Sequence, residues 1–340
     1  MYLHSISSAF PSHTLTQREA WEATCRSPKV QQLNLRARMV LEKILTGDCG
    51  IDTRRFAVEN PMELFNLNAG QLNQLFEREA PALSEKALAK ALDRASLRPT
   101  DLDALFVCTC TGYLCPGISS YVAENMGMRP NIYLNDIVGL GCGAAVPTLR
   151  AAGGFVAANP EANVAVIAVE TCSAAFFIDN DLGVLISLCL FGDGASASIW
   201  KGVPGPTGFR AGRFDTLHIP EEREKIRFRN DNGKLRNQLD RTVPKLAGAA
   251  VKTLYDKRVS PDPYVITHTG GRDVIETIEQ ECSLDQISES REILRRYGNT
   301  SSPSVLIALE EHLKGRQIRD DIWLTSFGAG FACHSFELNR

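Results

Sequence analysis

The sequence predicts an α/β fold built from two copies of one unit, and three observations at a single spacing carry that prediction. The stretch SEKALAKALDRASLRPTDLDALFVCTCTG (84–112) has the same pattern as VPKLAGAAVKTLYDKRVSPDPYVITHTGG (243–271), and Gly112 matches Gly270 at an offset of 158 residues. The same offset carries NVAVIAVETC, from Asn163, onto DIWLTSFGAG, from Asp321, and Cys142 onto Thr300. Alternating α/β chains can look alike by chance, but one offset across three separate segments favours duplication.

Each element has its own signal. Residues 84 onward and 243 onward carry apolar side chains at three- and four-residue spacing, the mark of an amphipathic helix. A loop with Pro and Asp follows in both copies, then a short apolar strand closing on Thr-Gly. NIYLNDIV reads as a strand leading into the GLGCGAAVP turn and an alanine-rich helix, and GNTSSPSVLIALEEHL repeats that turn-into-helix pattern. Residues 201–240, rich in Gly, Arg and Asn, read as a long surface excursion between the halves. The division expected is 1–200 for the N-terminal half and 201–340 for the C-terminal half.

Composition narrows the class. At 340 residues and 44% hydrophobic, the chain can bury a large core. Its 37 Lys and Arg stand against 40 Asp and Glu, and no run of like charge suggests a nucleic-acid groove or a membrane-surface helix. No signal-peptide pattern opens the chain and no apolar run is long enough to span a bilayer, so the reading is a soluble, cytoplasmic protein. The ten cysteines lie scattered in apolar runs, as packed thiols do, rather than in a disulfide framework. Cys108, Cys110 and Cys115 lack a second ligand pair at zinc spacing, so no metal is expected.

Three turns carry chemistry. Cys142 follows a strand and sits between Gly141 and Gly143 at a helix start, where the macrodipole and free N–H groups favour thiolate. By itself the pattern also suits a small buried cysteine. His268 ends the strand YVIT ahead of Gly270 and Gly271, and a lone histidine there is commonly structural. Asn299 occupies a Gly-flanked turn where Asn299, Thr300, Ser301 or Ser302 could equally be an N-cap. The duplication would bring these three turns together at one central site.

In order, the Gly-flanked Cys142, LFGDGASA, His-Thr-Gly-Gly, Gly-Asn-Thr-Ser-Ser and SFGAGFACHSFEL resemble the signature of thiolase-fold condensing enzymes. From about residue 49 to the C-terminus the chain is similar to bacterial type III polyketide synthases, the chalcone and stilbene synthase family. The resemblance implies a thiolase-like αβαβα fold, a homodimer, and a Cys142–His268–Asn299 triad. It implies acyl transfer from a CoA thioester to Cys142, then extension by malonyl-CoA through decarboxylative Claisen condensation, repeated and closed by cyclisation, with no cofactor beyond the CoA substrates. The CTGYLCPG loop, with Cys110, Thr111 and Cys115, would line the cavity and reach toward the partner. Ser301 would join the cavity, and Phe176 or Phe177 would supply one of two gating phenylalanines; NGKLRNQLD offers none for the second. Lys43, Arg54 and Arg55 are candidates for CoA phosphates. Plant members often carry Met where Cys115 stands, and Thr269 replaces a common Pro. The rival within the fold is a ketoacyl synthase III, which uses acyl carrier protein and condenses once; its histidine is usually followed by Gln-Ala-Asn, which this chain lacks. A catalytically dead partner subunit is a third reading, but such subunits characteristically lose the cysteine. Among the ten cysteines, Cys142 is expected to have the most depressed pKa.

Overall fold

The computed structural model describes residues 1–340. Its strands are β1 (Tyr2–Ala9), β2 (His13–Thr16), β3 (Thr53–Phe56), β4 (Ala104–Cys108), β5 (Tyr133–Ile137), β6 (Val164–Glu170), β7 (Gly194–Lys201), β8 (Arg210–His218), β9 (Ile226–Asp231), β10 (Lys234–Leu239), β11 (Tyr264–Thr267), β12 (Asp321–Gly328) and β13 (Ala332–Asn339). Nine of them hydrogen-bond in the order β11-β12-β13-β8-β1-β7-β6-β4-β5, while β2 pairs with β3 and β9 with β10. β1 and β8 meet at one pairing, Tyr2 with Arg210. Outward from it, each arm runs through two antiparallel pairings and then a parallel one, β6 to β4 on one side and β12 to β11 on the other. The strands related by the sequence offset thus hold matching places, and β5 is an extra edge strand of the N-terminal arm.

Pleating explains the layers. Along β6 every residue is buried, but Val164, Val166 and Ala168 enter one core while Ala165, Ile167 and Val169 enter another. Such a continuous apolar run marks a strand covered on both faces. The first core also holds Ile322, Leu324, Phe336 and Leu338 of the other arm, with the helices Ala145–Ala158 and Ser304–Lys314 between them. Helices Ala69–Ala95 and Ile118–Asn125 cover the outer face of one arm, and Val243–Tyr255 and Arg272–Cys282 that of the other. The result is the five-layer αβαβα stack of the thiolase-like fold.

Two local readings need correction. The helix expected from residue 84 starts at Ala69, behind an Asn68–Gln71 capping box, and runs through Pro81. Proline removes one helical hydrogen bond, but Ala80, Pro81 and Leu83 are buried and so offset that loss. Residues 201–240 are no excursion. They supply β8, inserted between β13 and β1, and the β9–β10 hairpin against helix Leu182–Leu190. Glycines and arginines hid the strand because β8 shows only partial burial. No helix is long and apolar enough to cross a membrane.

Candidate active site

Cys142 stands in a one-turn 3-10 segment, Gly141–Gly143, just ahead of helix Ala145–Ala158. The flanking glycines answer to geometry. Gly141 has φ +58°, a left-handed conformation that glycine adopts without strain. A Cβ on Gly143 would lie 3.2 Å from Gly328 N, and one on Gly328 would lie 2.6 Å from Gly143 N and 2.9 Å from Cys142 N. The cysteine turn therefore rests backbone to backbone on the end of β12, and the Ser326 hydroxyl ties it there by donating to Gly143 O at 3.0 Å.

His268 follows β11 and is buried. Its Nδ1 lies 2.6 Å from Ser304 Oγ, and its ring meets Phe327 edge-on, at 5.1 Å between centroids. Phe327 in turn abuts Gly143, so histidine and cysteine flank the same β12 end. Asn299 is buried too. Its Oδ1 accepts from Ser301 N at 2.8 Å, and its Nδ2 donates to Gly270 O at 3.3 Å, two residues beyond His268. Ser301 Oγ then donates to Cys142 Sγ at 3.2 Å. The three turns that the sequence singled out converge in the structure through residues 299–304.

Of the cavity candidates, Thr111, Phe176, Phe177 and Ser301 line one apolar pocket, with Cys172, Phe191, Phe228, Leu235 and Asn237 among its other walls. Cys110 Sγ lies 3.3 Å from Ser301 Oγ. Cys115 is exposed and lies outside this pocket. Lys43 is exposed on helix Leu35–Thr46, and Arg55 donates to Ser12 O at 3.3 Å. Arg54 is a correction: it is 2% exposed and donates to Gln17 Oε1 and to the Leu188 and Phe191 carbonyls. The guanidinium caps the C-terminal end of helix Leu182–Leu190, where a cation is favoured, and it has no free face for a phosphate.

Sequence reasoning missed Glu170, Phe191 and Phe228. Glu170 is fully buried at the end of β6. One carboxylate oxygen accepts from Thr109 Oγ1, Cys110 N, Thr111 N and Thr111 Oγ1, between 2.8 and 3.1 Å; the other accepts from Ser302 Oγ at 2.5 Å. This fixes the Cys110–Thr111 corner against the Asn299 turn. A lone acid closing an apolar strand was the available signal. Phe191 stood within LFGDGASA, and Phe228 lay in the span read as an excursion.

The resting electrostatics overturn one expectation. Burial pushes the Cys142 thiol up to about 12, opposed by the Ser301 hydrogen bond and reinforced by the Glu170 charge. Burial likewise holds His268 down at about 3, a backbone hydrogen bond to Ser301 opposing. Each group alone loses more hydration than the helix start returns, so burial favours a neutral thiol and a neutral imidazole. No group of three or more His, Cys, Asp or Glu side chains is placed to hold a metal ion.

A cysteine nucleophile candidate at the meeting of two like α/β arms, with histidine and asparagine beside it, defines a condensing enzyme of the thiolase-like class. Residues 16–204 match the family described as FAE1/Type III polyketide synthase-like protein, and residues 262–339 match the C-terminal part of 3-oxoacyl-[acyl-carrier-protein] synthase III. The chain belongs to the type III polyketide synthase family. It is 31% identical over 314 residues to 1,3,6,8-tetrahydroxynaphthalene synthase of Streptomyces coelicolor, spanning 89% of this chain and 82% of that one. It is 25% identical over 339 residues to phloroglucinol synthase of Pseudomonas fluorescens, spanning 95% and 94%. The crystal structure of the Streptomyces coelicolor synthase superposes with a TM-score of 0.91 at 26% identity, covering all of this chain and 99% of the other.

Proposed function

We propose that this polyketide synthase carries its growing chain on Cys142 and uses His268 and Asn299 to load it and to decarboxylate malonyl-CoA. The convergence of the Cys142, His268 and Asn299 turns on Ser301 and the end of β12 is the observation that carries this reading. In loading, the Cys142 proton passes to His268 Nε2, the sulfur attacks the acyl thioester carbonyl, and the CoA thiolate leaves with that proton. Malonyl-CoA then places its thioester oxygen between His268 Nε2–H and the second Asn299 Nδ2–H. Loss of CO2 leaves the enolate charge on that oxygen, facing both donors. The enolate carbon attacks the Cys142 thioester, freeing the sulfur and leaving the longer chain on CoA. Ser304 suits this double duty. Its hydroxyl can accept from Nδ1–H, leaving Nε2 as a base, or donate to Nδ1, leaving Nε2–H as a donor.

The 1–200 half supplies the nucleophile and the 201–340 half supplies histidine and asparagine. The reading needs CoA thioesters and no metal or other cofactor, and a cytoplasmic setting suits those substrates. Of the three candidate cations, Lys43 is the exposed one and is available for a CoA phosphate. The apolar pocket, lined in part by Phe228 and Leu235 of the hairpin and by Ser301, suits a chain that is extended away from water.

The assembly proposed is a homodimer. β5 is an open edge strand; Tyr133 at its start and Val138 just beyond it are exposed, as is Tyr113 in the Cys110–Gly117 loop. Full activity in a sedimenting monomer would exclude that assembly. Incubation with malonyl-CoA and a panel of acyl-CoAs, read by mass spectrometry, tests the function: products extended by more than one unit are expected. Turnover only with acyl carrier protein, stopping after one condensation, would point to the ketoacyl synthase III reading.

A further inference from the structure

The side chain that hydrogen-bonds the proposed nucleophile's sulfur is neither His268 nor Asn299. It is Ser301, whose Oγ lies 3.2 Å from Cys142 Sγ. Ser301 is 1% exposed and holds φ at +59°, a backbone region that costs any residue bearing a Cβ and that glycine would occupy freely. The Asn299 side chain imposes that conformation by accepting from Ser301 N. A strained position filled by serine where glycine would relieve the strain points to use of the hydroxyl.

Three acceptors surround its single proton: Cys142 Sγ at 3.2 Å, Cys110 Sγ at 3.3 Å and Glu170 Oε1 at 3.4 Å. Ser302 already satisfies Glu170 Oε1, so the carboxylate does not depend on Ser301. The hydroxyl is free to turn among its neighbours. The thiolate would be the strongest acceptor for it near Cys142, whereas a thioester sulfur accepts poorly.

We propose that Ser301 is a further catalytic residue, whose hydroxyl donates to the Cys142 thiolate during loading and turns to Glu170 once the sulfur is acylated. The inference rests on Cys142 carrying the acyl chain. The thiol proton goes to His268, and the Ser301 proton never leaves Oγ. Asn299 gains a second duty, since its Oδ1 aims Ser301 while its Nδ2 faces substrate.

Ser301→Gly keeps the backbone conformation and removes the hydroxyl; Ser301→Ala removes it while keeping Cβ. The pH dependence of Cys142 alkylation by iodoacetamide, read by peptide mass spectrometry, should shift upward by about one pH unit in both, the size expected for one lost donor to a thiolate. Cys110→Ala should leave the midpoint in place. In a Cys142→Gln background, where no thiolate exists, Ser301→Gly should slow malonyl-CoA decarboxylation less than Ser301→Gly slows loading of Cys142, because the enolate donors are untouched. An unshifted midpoint in both Ser301 variants, or decarboxylation lost as steeply as loading, would overturn the proposal and leave Ser301 as a wall of the cavity. Wild-type activity surviving complete Cys142 alkylation would instead remove the nucleophile reading, and the Ser301 role with it.

Discussion

A cysteine that attacks a thioester must be a thiolate for part of the time, and burial at Cys142 works against that. With the thiol near 12 and the imidazole near 3, each group favours its neutral form. In the proposed loading step the sulfur proton passes to His268, and the Ser301 hydrogen bond opposes the cost of burial. This separates the roles by variant. Cys142→Ala should fold and make no product, while Cys142→Gln should still release CO2 from malonyl-CoA. Asn299→Ala should lower decarboxylation by about 100-fold, the usual cost of one donor to a developing oxyanion. It should also slow loading modestly, because Ser301 loses its anchor. His268→Gln should remove decarboxylation and slow loading more severely than Asn299→Ala. Equal rates of CO2 release in wild type and His268→Gln would contradict the assignment.

The cysteine turn works because β12 ends in glycine. An alanine at Gly328 would bring its Cβ to 2.6 Å from Gly143 N and 2.8 Å from Leu140 O, contacts with backbone that cannot swing aside. Gly328→Ala should therefore keep its far-ultraviolet circular dichroism yet lose Cys142 acylation, measured by intact-protein mass. Acylation at the wild-type rate would show the close approach to be dispensable. Arg54 tests another element. Arg54→Met strands the Leu188 and Phe191 carbonyls and the Gln17 amide oxygen. It should cost about 2–4 kcal/mol, seen as a lower thermal midpoint. Elements of this kind differed in how far the sequence disclosed them. β6 and β12 were legible because strands covered on both faces are largely apolar, and the offset linked them. β8 was not, since a partly exposed strand rich in Arg and Gly carries no such run. The role of Arg54 was hidden as well, because nothing in its neighbours along the chain announces a helix end more than 130 residues away.

At the scale of the whole molecule, the buried histidines set the acid limit. His268 near 3 and His334 near 4, both lowered first by burial, stay neutral in the fold while the unfolded chain protonates near 6.5. Below about pH 6.5 the unfolded state binds more protons, so each histidine lowers stability on acidification by about 1.4 kcal/mol per pH unit until its folded pKa is reached. Asp193 acts oppositely. Burial raises it to about 6, so the folded state binds its proton first and gains stability between about pH 6 and 4. Together these three groups give a fall of roughly one proton's worth across that window, and His334→Gln should make the loss of stability between pH 7 and pH 5 smaller in urea melts. An unchanged slope would place the acid sensitivity elsewhere. Duplication gives the molecule its site: the two arms, meeting at β1 and β8, each contribute a turn ahead of a central helix, Cys142 from one and Asn299 from the other. That much was legible from one repeated offset. The carboxylate at Glu170 that ties the turns together was not, because its partners come from residues 109–111 and 301–302, which only the fold brings near.

If Cys142 carries the chain, the enzyme caught in turnover holds its intermediates there as thioesters. The enzyme is quenched in acid during turnover with an acyl-CoA and malonyl-CoA, digested, and its cysteine peptides weighed. The starter mass, and masses one or more ketide units heavier, are expected on the peptide containing Cys142 and on no other. Acyl adducts on Cys110 or Cys172 with Cys142 free, or active turnover with no acylated cysteine at all, would contradict it.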